Sequence, residues 1–451
     1  MEKYFKDVLN LNVAYTNGKN VLDEIFYDSN ELVGMEKRLS REIGPHPNFI
    51  NRYISICYQK CGHLITISRQ LGKIKSLNRL EDEELLTFYK KYQEAVFETM
   101  PFMTTLMVID RIFKKKMTYL LESENAIKNK AEQNLLISKL IIPIKKNFFV
   151  KEQDNLLRMA LKLQENEDFD INPEIEKHLA QYAWTTTSVY LGALQTKRNV
   201  MKKIQILLKK NPREELEKIK QIKDKARKEY EKAYCRINKS KNMNGLINYA
   251  RQLLFLQTHK METLYLAHFY AGDFLEEIGN RFGLSLGKLI YLTGDEIVGL
   301  LNKTWSLDNN ELKARMKSVS IIKEHNHITL YSGGEIKRTT QKVTSVTTVK
   351  GTIACQGSAV GKAKLLFEVG DMEKIKKGDI IVSPMTRPHF VPVMKKAVGI
   401  ITDFGGILCH AAIISREFGI PCIVGTKEAT KIFKDGDLIE LNAYEGFAKK
   451  L

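Results

Sequence analysis

The sequence predicts a multidomain chain, a mostly α-helical N-terminal domain followed by a small C-terminal α/β domain. Three observations carry this expectation. Through the first 330 residues apolar side chains recur three and four apart, as in Leu85, Phe88, Tyr89 and Tyr92, or Phe274, Leu275 and Ile278, the spacing of one helix face. The last 101 residues hold 12 of the 27 glycines and four of the 10 prolines, whereas no glycine occurs between Gly72 and Gly192. From Tyr331 to about Val346 the chain is polar and aperiodic.

Taken in order, residues 1–330 read as helices broken at Gly44-Pro45-His46-Pro47, Asn172-Pro173, Asn211-Pro212 and between Gly283 and Gly287, where proline and glycine interrupt the helical pattern. Residues 331–348 read as a linker, and about 15 flexible residues span on the order of 20 Å. A domain hung on it could travel. Residues 349–451 then show short β-like runs at Ala363–Phe367, Asp379–Val382, Val398–Thr402, Cys422–Val424 and Leu438–Leu441. Turns at Gly370, Lys377-Gly378, Gly405-Gly406 and Asp435-Gly436 separate them.

With 43% hydrophobic and 27% charged residues over 451 positions, the chain has the profile of a soluble globular protein, not of a disordered or collagen-like one. Its longest apolar stretches, Leu135-Leu136-Ile137 and Leu140-Ile141-Ile142, are cut by Ser138, Lys139 and Pro143, well short of the roughly 18 residues of a membrane helix. The charged start Met1-Glu2-Lys3-Tyr4-Phe5-Lys6 lacks the apolar core of a signal peptide, so no membrane contact and a cytoplasmic location are expected. Six cysteines without paired spacing argue for free thiols, Cys57 and Cys61 being read as apolar helix positions. The formal charge of +18 resolves into 57 basic against 42 acidic residues in the first 350 and 14 against 11 in the rest. It peaks over residues 201–240, where the two signs interleave at helical spacing. That pattern describes a solvated helix face more than a nucleic-acid site.

Chemistry concentrates in Thr402-Asp403-Phe404-Gly405-Gly406-Ile407-Leu408-Cys409-His410-Ala411-Ala412-Ile413-Ile414-Ser415-Arg416-Glu417-Phe418-Gly419-Ile420-Pro421. The pattern is a strand, a Gly-Gly loop and a short helix that Gly419 and Pro421 stop. Backbone N–H groups of the loop and the helix start would form a concave anion site. A neutral imidazole there, His410, could accept a phosphoryl group as a phosphoramidate. The Thr402 hydroxyl and Cys409 thiol could add contacts. The residues alone leave an equal reading open, a surface or capping histidine beside a structural turn.

The segment resembles the phosphohistidine swivelling domain of the phosphoenolpyruvate-utilising enzymes, among them phosphoenolpyruvate synthase and pyruvate phosphate dikinase, whose hallmark Thr-Asp-x-Gly-Gly-x-x-(Ser/Cys)-His-Ala-Ala-Ile and Arg-Glu-x-Gly-Ile-Pro is complete here. Gly351, Gln356-Gly357-Ser358-Ala359-Val360-Gly361, Lys377-Gly378-Asp379, Thr386-x-Pro388 and Asp435-Gly436-Asp437 extend the likeness over about 100 residues. The resemblance implies a phosphorylated His410 whose phosphate Thr402, Gly405, Gly406 and Cys409 surround. Arg416 and Glu417 match the family's Arg-Glu pair, read as a structural ion pair, and Arg387 is a third supporting residue.

The helical half resembles, by pattern, the substrate domains of rifampicin phosphotransferases and phenylphosphate synthases. Lys177-His178-Leu179-Ala180-Gln181-Tyr182-Ala183-Trp184 and the stretch from Ile278 through Gly294-Asp295-Glu296-Ile297 carry that likeness. It implies a pocket for a hydroxyl-bearing molecule, with His178, Trp184, Glu296 and the His325-Asn326-His327 segment as lining candidates. No glycine-rich nucleotide loop of Walker or G-x-G-x-x-G type occurs, so an ATP-grasp module is missing. A phosphoenolpyruvate-binding barrel of about 250 residues would not fit either.

The expected function is a phosphotransferase, incomplete without its partner, that carries phosphate on His410 from a donor to a hydroxyl in the helical domain. The donor would be ATP with Mg2+ on a separate ATP-grasp subunit, with no cofactor or metal held tightly by this chain. Two other classes stay open: a regulatory interaction protein that keeps the swivelling fold, and a nucleic-acid binder using residues 201–240.

Overall fold

The computed structural model describes residues 17–21, 24–27, 29–43, 48–125, 127–142, 145–166, 168–186, 194–317, 319–324, 327–332, 347–367, 369–387, 390–406 and 409–451. In chain order these form strands β1 (Asn17–Val21) and β2 (Glu24–Tyr27), then helices α1 (Ser29–Ile43), α2 (Phe49–Leu71), α3 (Asp82–Ser123), α4 (Lys130–Leu140), α5 (Phe148–Glu165), α6 (Asn172–Tyr182), α7 (Lys197–Lys209), α8 (Pro212–Cys235), α9 (Lys241–Tyr270), α10 (Gly272–Arg281), α11 (Leu286–Leu289), α12 (Gly294–Leu301) and α13 (Asn309–Lys317). Strands β3 (Val319–Glu324), β4 (His327–Ser332), β5 (Thr348–Lys350), β6 (Thr352–Cys355), β7 (Ser358–Leu365) and β8 (Ile380–Ser383) follow, then α14 (Val391–Met394), β9 (Gly399–Thr402), α15 (His410–Phe418), β10 (Cys422–Val424), α16 (Ala429–Ile432), β11 (Leu438–Asn442) and β12 (Phe447–Lys450).

The N-terminal region is therefore mostly helical and the C-terminal one a small α/β domain. Two of the expected breaks are helix starts. Pro212 opens α8 behind Asn211, whose side chain accepts from the Arg213 amide, and Pro173 sits in the first turn of α6. Proline suits the first turn because its missing N–H would have no helical partner there. Gly44 to Pro47 lie outside the described residues.

Compact packing divides the chain into two units. The first comprises Met1–Ile109, Val189–Leu191 and Lys260–Thr339. Leu64, Leu85, Tyr89, Tyr92, Phe274, Ile278, Ile297 and Leu300 build its core, and Leu85, Tyr89, Tyr92, Phe274 and Ile278 among them are residues that the three-and-four spacing singles out. Four strands accompany the helices of this mostly helical region. Strands β1 to β4 form an antiparallel sheet in the order β2-β1-β3-β4, with Asn17 opposite Glu324 and Val21 opposite Ser320. Partners some 300 positions apart leave no local periodicity to read. β4 also takes Tyr331 and Ser332 from the stretch expected as linker, and 333–346 lie outside the described residues.

The second unit comprises Asp110–Ser188, Gly192–His259 and Thr340–Leu451. Its helices close around Leu156, Leu157, Ile175, Val200 and Ile204. Along α8, Lys218 pairs with Glu215 and Arg227 with Glu231 on exposed surface, the solvated face that interleaved charge predicts. In the same unit the C-terminal strands form one eight-stranded sheet in the order β5-β12-β11-β7-β8-β9-β10-β6. The central strands β7, β8, β9 and β10 are parallel and the flanking pairs antiparallel. β8, β9 and β10 are buried along their whole lengths, as continuous apolar runs in a covered parallel sheet should be. Ile380, Val382, Ile401, Ile423, Phe433 and Leu441 fill one face.

Candidate functional site

β8 and β9 run parallel with Ser383 opposite Thr402, so both chains leave the sheet at the same edge. Ligands of open α/β sheets bind at that carboxyl edge. Backbone bonds tie the two exits together: the Asp403 amide donates to the Ser383 carbonyl at 3.1 Å and the Phe404 amide to the Pro384 carbonyl at 2.9 Å. The Asp403 carboxylate accepts from the Thr426 hydroxyl and the Thr430 amide, each at 3.1 Å, and from the Thr430 hydroxyl. Buried and fully engaged, it is a structural anchor beneath the site.

The loop turns at Gly405, whose φ of +117° is a region that side chains avoid. A Cβ there would also lie 2.8 Å from Cys409 Sγ. The Cys409 amide then donates to the Gly406 carbonyl at 3.0 Å, and α15 begins behind Cys409 as N-cap. Burial pushes the Cys409 thiol up to about 11 against the N–H groups of Ala412 and Ala411 that face it. It is a neutral thiol at physiological pH, not a thiolate nucleophile. Thr402 is buried and its hydroxyl donates to the Phe404 carbonyl at 2.8 Å, so it holds the loop rather than offering its proton to an anion.

His410 stands in the first turn of α15, half-buried. Its Nδ1 lies 2.9 Å from Thr386 Oγ1 on the exit of β8. With Nδ1–H donating to that hydroxyl, the lone pair rests on Nε2. A fixed imidazole with one basic nitrogen, at a positively polarised helix start, is an arrangement that can accept a phosphoryl group and stabilise its charge. Arg387 follows Thr386 in the same exit, half-buried, its carbonyl accepting from the Phe390 amide at 2.9 Å.

Arg416 and Glu417 do not form the expected pair. Adjacent helical residues point about 100° apart. Arg416 Nε donates to the Ala412 carbonyl at 2.9 Å, and Nη1 to the carbonyls of Ile141 at 2.8 Å and Ser138 at 3.4 Å. It is a cation on the carboxyl end of α4, a favourable place for one. Glu417 accepts from Asn147 Nδ2 at 3.2 and 3.4 Å. Burial pushes its carboxyl up to about 7 against the pull of Asn147, Lys395 and Arg416. Neighbouring Lys395 donates to Gln153 Oε1 at 2.9 Å, and burial brings its ammonium down to about 8.

Each of the three pocket candidates is engaged by neighbours within its own unit. Glu296 belongs to the first compact unit, where both its oxygens accept from Arg315 at 2.8 Å and one closes a capping box with Thr293. Trp184 belongs to the second and is core: fully buried, its Nε1 donates to the Gln181 carbonyl at 2.8 Å and Phe148 and Phe149 pack on its ring. His178, also in the second unit and 1% exposed, has Nδ1 2.7 Å from Asn155 Oδ1, and burial holds its imidazole down at about 4. His325 and Asn326 lie outside the described residues. Cys57 and Cys61 are buried on α2 beside the ammonium of Lys260, so their surroundings are more polar than an apolar helix position implies.

Two residues at the site carry no signal of their role in the sequence. Thr386 sits in a recognisable turn, but its bond to His410 crosses 24 positions. Asp110, on α3, brings Oδ2 to within 3.0 Å of where a Gly406 Cβ would stand. Its Oδ1 is shielded from solvent and has no hydrogen-bond partner among the described residues. Burial pushes this carboxyl up to about 7, against the pull of Lys114, Arg416 and Arg111.

Residues 375–446 match the family model of the PEP-utilising enzyme mobile domain. A probable phosphoenolpyruvate synthase of Methanothermobacter thermautotrophicus is 46% identical over 113 residues, which is 25% of this chain and 16% of that protein. One of Archaeoglobus fulgidus is 49% identical over 98 residues, 22% of this chain and 13% of its own. The phosphoenolpyruvate synthase of Aquifex aeolicus is 38% identical over 147 residues, 32% and 17% respectively. The chain thus spans less than a fifth of the length of each of these relatives. Its C-terminal α/β domain is of the PEP-utilising mobile-domain type.

Proposed function

We propose that this chain is the phosphoryl-carrying component of a phosphotransferase, with His410 as the relay between a donor and a hydroxyl-bearing acceptor. The observation that carries the reading is the bond between His410 Nδ1 and Thr386 Oγ1, inside a domain of the mobile type. In the first half-reaction Nε2 attacks the terminal phosphorus of the donor, a P–O bond breaks, and an N–P bond forms. The loop amides and the start of α15 face the charge on the transferred group. Positioning and electrostatic stabilisation supply most of the catalysis of such a transfer.

The donor in this reading is ATP with Mg2+ held by a separate ATP-grasp subunit, and the acceptor a small molecule taken up by the helical part of the chain. The likeness to phosphoenolpyruvate synthases over the mobile domain supports the relay. Incubation with candidate ATP-grasp proteins, γ-labelled ATP and Mg2+ should label wild-type protein with an acid-labile, alkali-stable phosphate, and His410→Ala should take up none. Label retained by His410→Ala, or absent from wild type with every candidate donor and with phosphoenolpyruvate, would sink the proposal.

A further inference from the structure

We propose that Asp110 is the general base of the second half-reaction, taking the proton of the hydroxyl that attacks phosphohistidine at His410. The inference rests on the relay reading above. In this step the acceptor oxygen bonds to phosphorus, the N–P bond breaks, and its electron pair returns to Nε2. The hydroxyl proton goes to the Asp110 carboxylate, leaving a neutral imidazole, a phosphate ester and a carboxylic acid that later loses its proton to water.

Such a step needs an acceptor atom beside the phosphate cradle, and the polar groups around it are nearly all committed. The Thr402 hydroxyl donates to Phe404, the Asp403 carboxylate is taken by Thr426 and Thr430, the Cys409 thiol is neutral, and Glu417 faces Asn147. Asp110 differs. Oδ2 stands against Gly406, and Oδ1 is shielded and without a hydrogen-bond partner among the described residues. An unspent buried acceptor is costly to keep, and a proton arriving there would satisfy it.

The groups acting on it are Arg111 and Lys114 from its own helix, and Cys409 and Arg416 from α15. The three cations offset the repulsion between a carboxylate and an incoming phosphate. Burial outweighs them and sets the group near neutrality, the range in which a general base works best. Gly406 is the complementary feature, because any side chain there would push the carboxylate away.

Potassium phosphoramidate can phosphorylate histidine without a partner protein, and water is the simplest acceptor. The test is the decay of phospho-His410 in water between pH 6 and 9, followed by phosphate release and mass spectrometry. Wild-type decay should accelerate as pH rises through about 7. Isosteric Asp110→Asn should lose that rise and decay about a hundredfold more slowly at pH 8, within the range for general-base catalysis. Gly406→Ala, which displaces the carboxylate but keeps its charge, should slow decay as well and covers a poorly folded Asp110→Asn. Wild-type decay rates and pH profiles in both variants would overturn the role of Asp110 and leave the relay standing. Failure of His410 to take any label from phosphoramidate would instead remove the relay itself.

Discussion

The imidazole of His410 is defined by the hydroxyl 24 residues before it. Without the Thr386 partner the ring loses its orientation and the preference for a basic Nε2. Thr386→Val should slow labelling of His410 by phosphoramidate by about one to two orders of magnitude, the range seen when the partner that orients a metal-binding histidine is removed. Thr386→Ser should restore it, and a variant that labels at the wild-type rate would contradict the assignment. Gly405 is a second point of strict chemistry. Its φ of +117° and the 2.8 Å approach to Cys409 Sγ leave no room for a methyl group. Gly405→Ala should cost about 1–3 kcal/mol of stability, read as a lowered Tm, together with loss of labelling. Trp184 belongs to the core, so Trp184→Ala should destabilise the fold by about 3–5 kcal/mol in urea unfolding.

At the scale of elements, the loop between β9 and α15 is clamped from below by one carboxylate. Asp403 joins the end of β9 to Thr426 and to Thr430 in α16. Asp403→Ala leaves those buried donors unpaired and should cost about 1–3 kcal/mol, seen as earlier exchange of the Thr430 amide by hydrogen–deuterium mass spectrometry. Unchanged protection there would show that the clamp is not needed. The motif residues thus divide by task. In the proposed relay His410 meets the substrate and Gly405 and Gly406 shape the cradle, while Thr402 and Asp403 hold the loop through their own hydrogen bonds. Only some of that division was legible beforehand. The strand, Gly-Gly loop and helix were readable because they are contiguous, and the helix stop at Gly419 is met by its φ of +67°. That Thr402 turns its hydroxyl to Phe404, or that Arg416 reaches α4 rather than Glu417, depends on neighbours that the linear pattern does not order.

Across the second compact unit, helices from 110–259 and the C-terminal sheet share one set of buried charges. Asp110 and Glu417 both have carboxyls pushed up to about 7 by burial. An unfolded carboxyl titrates near 4. Between about pH 4 and 7 the folded state therefore holds protons that the unfolded state has lost, and stability falls as pH rises through that window. Buried His178 and His259, both held down at about 4, act in the opposite direction below about pH 6.5, so the drop in urea midpoint should be read between about pH 6.5 and 7.5. Glu417→Gln should flatten the dependence by up to one proton, and a midpoint rising with pH over this range in wild type would contradict the assignment. Lys395 works in the opposite direction at higher pH, because burial brings its ammonium down to about 8.

What the sequence determined by itself was the helical half's core pattern, the glycine-rich α/β domain and the histidine at the helix start, because each is written in contiguous or periodic residues. The antiparallel sheet joining β1 to β3, the hydroxyl that orients His410 and the carboxylate beside Gly406 were decided by tertiary structure alone. Those features depend on segments tens to hundreds of positions apart, and distance along the chain carries no information about which groups meet until packing brings them together.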